Sequence, residues 1–201
     1  MYDRAGIGES KFSEPHTRTL SELVEELHEL SVNERWGDLV LVPHSFGGFI
    51  GRAFADKYPD ETLAILLIDV AHEDWLPGLK AKMSPADWAI MEGIVDWNTR
   101  TFHEDYFNAQ ESVRGTKLRD GLPITVLSRG IAHTTIRVAR MSYEGVDLYE
   151  AGHQALQARL PDLSSNSEHR VAKYSSHLFN DYDPWLVIDE IKLLVSRLAK
   201  E

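Results

Sequence analysis

Three residues of this chain have the types and surroundings for one kind of chemistry: Ser45, Asp69 and His177. A serine hydroxyl is a weak nucleophile until a base takes its proton, and the base needs an acid to orient it. Each of the three follows the end of an expected strand: Leu39–Val42 before His44-Ser45, Leu63–Ile68 before Asp69, and Arg170–Tyr174 before Ser175-Ser176-His177. Such a set performs attack of a serine oxygen on an electrophilic carbon, with the proton passing to the imidazole. Taken one at a time, each has a plainer reading of less weight: Ser45 as a helix N-cap, His177 as a polar loop residue and Asp69 as a buried structural carboxylate. Glu144 and Asp147 are alternative acids. His44 adjoins the serine, but consecutive residues on a tight turn point apart, so it is a poor base. His72-Glu73-Asp74 sit on one short segment and fit no metal-binding spacing, so no metal and no cofactor are expected.

The elements that must hold these residues follow from local signals. Leu39-Val40-Leu41-Val42 is a short strand, and a helix rich in small residues (Gly47, Gly48, Gly51, Ala53, Ala55) follows the serine at once. Strand, sharp turn and helix are the setting of a nucleophile elbow, in which a strained turn lifts the serine oxygen clear of the sheet. The usual Gly-x-Ser-x-Gly pattern is kept at Gly47 but has Pro43 at its first position. Upstream, Thr19 with Glu22 forms a capping box for a helix whose apolar face is Leu20, Leu23, Val24, Leu27 and Leu30. Gly6 and Gly8 belong to a loop that permits close backbone packing, since a dinucleotide-binding loop would need a third glycine and a preceding strand.

Leu63–Ile68 lacks polar alternation, as expected of a parallel strand covered on both faces. Residues 72–121 hold helical stretches opening at Ser84-Pro85 and at Phe102. This segment is too long for a simple crossover and reads as a helical cap inserted after the second main strand. Trp75, Trp88, Met91, Trp97 and Phe107 are its candidate substrate-binding residues, although packing of the cap accounts for each one singly. Pro123–Ser128 is the next strand and a helix lies near Asp147–Leu160. Asp183-Pro184 opens a closing helix whose expected buried face is Trp185, Ile188, Ile191, Leu194, Val195 and Leu198. Strands alternating with helices imply a mostly parallel sheet flanked by helices, whose ligands bind beyond the carboxyl ends of the strands.

Composition narrows the partners. The 201 residues suit a single domain, and 43% hydrophobic content is enough for one core. With 32 acidic against 21 basic residues, net charge −11 and no basic run, neither nucleic acid nor an anionic membrane is an expected partner. Cysteine is absent, which rules out disulfides and fits a reducing compartment, so a cytoplasmic location is expected. No apolar run is long enough for a membrane span, and the N-terminus has no signal-peptide pattern.

Together, the elbow and the order Ser45, Asp69, His177 resemble the α/β-hydrolase family. The resemblance spans nearly the whole chain, through Asp3-Arg4-Ala5-Gly6-Ile7-Gly8-Glu9-Ser10, His44-Ser45-Phe46-Gly47-Gly48, Leu67-Ile68-Asp69 and Ser176-His177 ahead of Pro184. It implies that the strands here correspond to the family's fifth through eighth, with the first strands and one oxyanion loop lying before residue 1. The acid commonly follows the seventh strand, here Arg129-Gly130-Ile131-Ala132-His133, which has no carboxylate. A family variant puts it after the sixth, at Asp69. Ser176 stands where glycine is usual. The function implied is a serine hydrolase acting on a small carboxylic ester through an acyl-enzyme on Ser45, with the Phe46 N–H as oxyanion donor. A serine at the elbow argues against the dehalogenase and epoxide-hydrolase members, which use aspartate there. The alternatives are a truncated or degenerate binding protein without turnover, or a lyase using the same residues. With the first strands absent, Leu39–Val42 would be an open edge that invites homodimerisation.

Overall fold

The computed structural model describes residues 2–133 and 140–199. Four strands, β1 (Leu39–Leu41), β2 (Thr62–Ile68), β3 (Ile124–Arg129) and β4 (Ser167–Ala172), form one sheet in the order β1-β2-β3-β4. Every pairing is parallel, with Val40 opposite Ala64, Leu66 opposite Thr125 and Leu127 opposite Arg170. Parallel neighbours need crossovers, and helices supply them. The helices are α1 (Leu20–Asn33), α2 (Gly47–Lys57), α3 (Trp75–Lys80), α4 (Pro85–Phe102), α5 (Tyr106–Val113), α6 (Tyr143–Gln157), α7 (Phe179–Tyr182) and α8 (Pro184–Leu198), of which α2 to α6 lie between strands.

Strand β2 is the centre of the core, and its side chains alternate between two faces. Ile65 and Leu67 pack with Leu41, Val126, Leu20, Leu23 and Phe54 beneath α1 and α2. Ala64, Leu66 and Ile68 face Leu127, Ala172, Phe179 and Leu194 beneath α8. Burying each of these large aliphatic side chains contributes about 1.5–3 kcal/mol. A third cluster, Leu76, Leu79, Met83, Met91, Val95, Met141 and Tyr149, joins α3 and α4 to α6. Helix α2 lies close to the sheet because it carries glycine where it crosses. A Cβ on Gly48 would fall 2.4 Å from Val70 Cβ, and one on Gly51 would fall 2.9 Å from Pro43 Cγ.

Several local signals have the outcome expected. Thr19 and Glu22 cap each other's backbone at the start of α1, and Ser84 and Asp183 cap α4 and α8, each ahead of a proline in the first turn. Four expectations are corrected. α3 arises from a stretch with no periodicity to reveal it. α5 spans only Tyr106–Val113, because His103 ends α4 in the left-handed conformation at φ 52° and the chain turns there. β4 starts at Ser167 rather than Arg170, since an edge strand tolerates the polar Ser-Glu-His that a central strand would not. Finally, α8 is rotated from its expected orientation. Trp185 is 71% exposed and Val195 47%, while Leu186, Val187, Ile191, Leu194 and Leu198 face the sheet. Among the described residues no helix is long and apolar enough to cross a membrane.

Candidate active site

The carboxyl ends of β1 and β2 are joined through the elbow. Ile68 N–H donates to Pro43 O at 2.9 Å and Ser45 N–H donates to Ile68 O at 3.2 Å, so the turn carrying Ser45 is bonded to the end of β2. Ser45 has φ 55°, the left-handed region that costs an L-residue about 1–2 kcal/mol. Its carbonyl accepts from Gly48 N–H at 3.1 Å and Ala71 N–H at 3.0 Å, which fixes the strained turn. Pro43 is accommodated in place of the usual glycine by Gly51 opposite it, and it does not prevent β1 from ending in the turn. The Phe46 N–H, at the mouth of α2, has no backbone acceptor among the described residues.

The turn directs Ser45 Oγ to His177 Nε2 at 3.0 Å, and His177 Nδ1 donates to Asp69 Oδ2 at 2.6 Å. Residues 132 and 108 positions from His177 thus meet it on opposite sides of its ring. Asp69 is 1% exposed and its carboxylate accepts four hydrogen bonds. Besides His177, Oδ2 accepts from Arg129 Nη1 at 2.7 Å, and Oδ1 accepts from His153 Nε2 at 2.8 Å and from the Arg129 backbone N–H at 3.1 Å. Burial opposes ionisation of this carboxyl, but the donors from His153, His177 and Arg129 win, and its pKa lies well below the usual carboxylate range. Arg129 in turn donates to Glu150 Oε2 at 2.9 Å, and Glu150 Oε1 accepts from His133 N–H at 2.8 Å.

Two further imidazoles flank the His177 ring. His44 lies 4.6 Å away between centroids, and its Nε2–H donates to the His177 carbonyl at 2.8 Å. His133 stacks at 4.5 Å. Burial lowers the pKa of both, that of His133 to about 3, so both are neutral at physiological pH. Ser176 Oγ, in the position where glycine is usual, donates to Ala132 O at 3.0 Å and ties the His177 loop to the segment after β3.

A cavity of about 1460 Å³ opens over these residues. Trp75, Met91 and Trp97 line it, with Ile94, Phe102 and Tyr106. Trp88 and Phe107 do not. They line a shallow hollow of about 360 Å³ with Lys80 and Glu92; Trp88 packs against the cluster that joins α3, α4 and α6, and Phe107 is exposed. Glu144 and Asp147 are exposed on the outer face of α6 and are not part of the site. His72 and Glu73 approach each other at 3.3 Å, but Asp74 turns to other partners. His72 Nδ1 accepts from Asp74 N–H, Glu73 pairs with Arg52, and Asp74 pairs with Arg114 and Arg159. The supporting residues Arg129, His133, Glu150 and His153 were not singled out from the sequence. The one available signal was a charged residue, Arg129, ending an apolar strand.

No protein-family model matches this chain, and no curated protein does. Solved structures do match. A probable hydrolytic enzyme from Pseudomonas aeruginosa is 13% identical with a TM-score of 0.63, over 96% of this chain and 74% of the other. Alpha/beta hydrolase domain-containing protein 10 from mouse is 15% identical with a TM-score of 0.62, over 96% and 76%. A thermophilic esterase from Thermogutta terrifontis is 19% identical with a TM-score of 0.57, over 96% and 77%. An all-parallel sheet in sequential order, a strained serine turn at a strand end and these likenesses agree: the chain has the α/β-hydrolase fold.

Proposed function

We propose that the chain is a serine hydrolase acting on carboxylic esters with apolar substituents. The observation that carries this reading is the continuous path from Ser45 Oγ through His177 to Asp69, at 3.0 and 2.6 Å. Ser45 Oγ attacks the ester carbonyl carbon while its proton passes to His177 Nε2. Asp69 stabilises the imidazolium that forms, and the Phe46 N–H donates to the developing oxyanion. Collapse expels the alcohol, which takes the proton from His177, and leaves an acyl group on Ser45. A water deprotonated by the same imidazole then releases the acid. Residues 72–121 act in this reading as a cap, with Trp75, Met91 and Trp97 bounding the apolar end of the substrate.

The hydrolases among the structures of similar fold support the general class, and a serine in place of aspartate at residue 45 favours ester over epoxide chemistry. The edge position of β1 supports a second proposal, that two copies associate through it, which light scattering tests. The functional test is hydrolysis of p-nitrophenyl esters by the chain and by Ser45→Ala. The expected result is a burst of nitrophenol equal to the enzyme present, lost in the variant. Activity that survives the substitution removes Ser45 from the mechanism. Binding without a burst supports a ligand-binding protein or a lyase instead.

A further inference from the structure

Asp69 serves two imidazoles. Its Oδ2 faces His177, and its Oδ1 is held by His153 Nε2 at 2.8 Å and by the Arg129 N–H at 3.1 Å. We infer that His153 is a positioning residue for the hydrolytic reaction: it fixes the Asp69 carboxylate so that Oδ2 meets His177. This rests on the functional reading above.

A buried carboxylate keeps one orientation to the degree that each of its oxygens is held by fixed donors. Arg129 reaches both, with its backbone N–H on Oδ1 and Nη1 on Oδ2, so Oδ1 has a single donor from the end of β3. His153 comes from a different element, α6, and supplies the second restraint on Oδ1. Its own position is fixed by packing, since it is buried and its ring meets Trp75 edge-on, 6.5 Å between centroids. Facing a carboxylate, Nε2 must carry the hydrogen of the neutral ring.

Charge explains why this imidazole does not compete with His177. The groups packed around the pair are Asp69 at the end of β2 and Arg129 at the end of β3. From α6 come Tyr149, Glu150 and His153, and from the adjoining loops His44, His133 and His177. Burial is the largest influence on His153 and lowers its pKa despite the carboxylate beside it. The ring therefore stays neutral, and the proton leaving Ser45 settles on His177. By donating to Asp69, His153 also shares part of the charge that would otherwise stabilise the His177 imidazolium.

Two substitutions separate this role from plain packing. Glutamine sets its amide nitrogen near the place of Nε2, whereas asparagine falls short of it and leucine has no donor. In His153→Leu and His153→Asn, kcat for a p-nitrophenyl ester is expected to fall roughly 10- to 100-fold, the scale of a misplaced catalytic group. The acid limb of kcat/KM moves to higher pH by roughly half a unit, because the less shared carboxylate favours the imidazolium. His153→Gln is expected to recover most of the rate and to restore the limb. If the leucine variant does not fold, the Gln and Asn pair decides alone. Equal rates and superimposable pH profiles for Gln and Asn overturn the inference. A parent chain that shows no burst and no label on Ser45 instead overturns the functional reading beneath it.

Discussion

The imidazole of His133 stacks on that of His177, with centroids 4.5 Å apart and planes 24° from parallel. The stack works only while His133 is uncharged, since an imidazolium against the base would oppose its protonation. Burial ensures this by lowering the His133 pKa to about 3. The same direction holds for His44, His72, His153 and His169, in each case with burial as the largest cause.

Stability should therefore depend on pH with a definite sign. A buried imidazole whose folded pKa lies below its unfolded value near 6.5 binds fewer protons folded than unfolded within that interval. Its contribution is complete above about pH 6.5 and is lost as pH falls toward the folded pKa. Asp69, also depressed, adds to the loss at lower pH. The thermal midpoint is expected to drop steadily from pH 7 to pH 4, and a midpoint that rises or stays level contradicts the buried neutral imidazoles.

Ser45 stores backbone strain at φ 55°. Ser45→Gly should remove all esterase activity yet unfold at the same or a higher temperature, with relief of about 1 kcal/mol offset in part by glycine's greater unfolded-state entropy. Ser45→Val, β-branched in the same conformation, should be less stable than either. Thermal melts of the three chains check the order.

Asp69→Asn should lower kcat by about four orders of magnitude, because an amide cannot hold the working tautomer of His177. Glu144→Gln and Asp147→Asn, both exposed and remote from the imidazole, should leave the steady-state rate unchanged. A large loss in either of these moves the acid away from Asp69.

On the proposed ester hydrolysis, the cavity would set the acyl length accepted. Ile94→Trp should shorten the longest p-nitrophenyl ester hydrolysed, since Ile94 lines the cavity. Phe107→Ala should leave the length profile alone, since Phe107 lines the separate outer hollow. A shifted profile in Phe107→Ala would place the acyl group in that hollow.

How far the sequence revealed these features depended on whether the signal was local. The capping box at Thr19 and Glu22, the proline turns at Ser84 and Asp183 and the unbroken apolar run of β2 each sit within one or two turns of chain, and each element forms where its signal lies. Ser45, Asp69 and His177 were legible because strand ends in a parallel sheet share one edge, which leaves little freedom in where the three can meet. The support for Asp69 was not legible. Arg129 and His153 contact it across 60 and 84 positions of chain, and nothing in a helix such as α6 marks one histidine as turned toward a particular carboxylate. The faces of α4, α5 and α8 failed for a related reason. Their apolar residues are spread around the helix, so small rotations decide that Trp88 and Phe107 stay out of the cavity and that Trp185 is exposed.

The most direct test of the account is covalent labelling with a fluorophosphonate, followed by intact-mass measurement and peptide mapping. One equivalent of label is expected on Ser45, none in Ser45→Ala, and labelling slowed by at least about 100-fold in His177→Ala, since the base is what activates the oxygen. A folded chain that takes up no label, or takes it at another residue, contradicts the claim that Ser45 is an activated nucleophile.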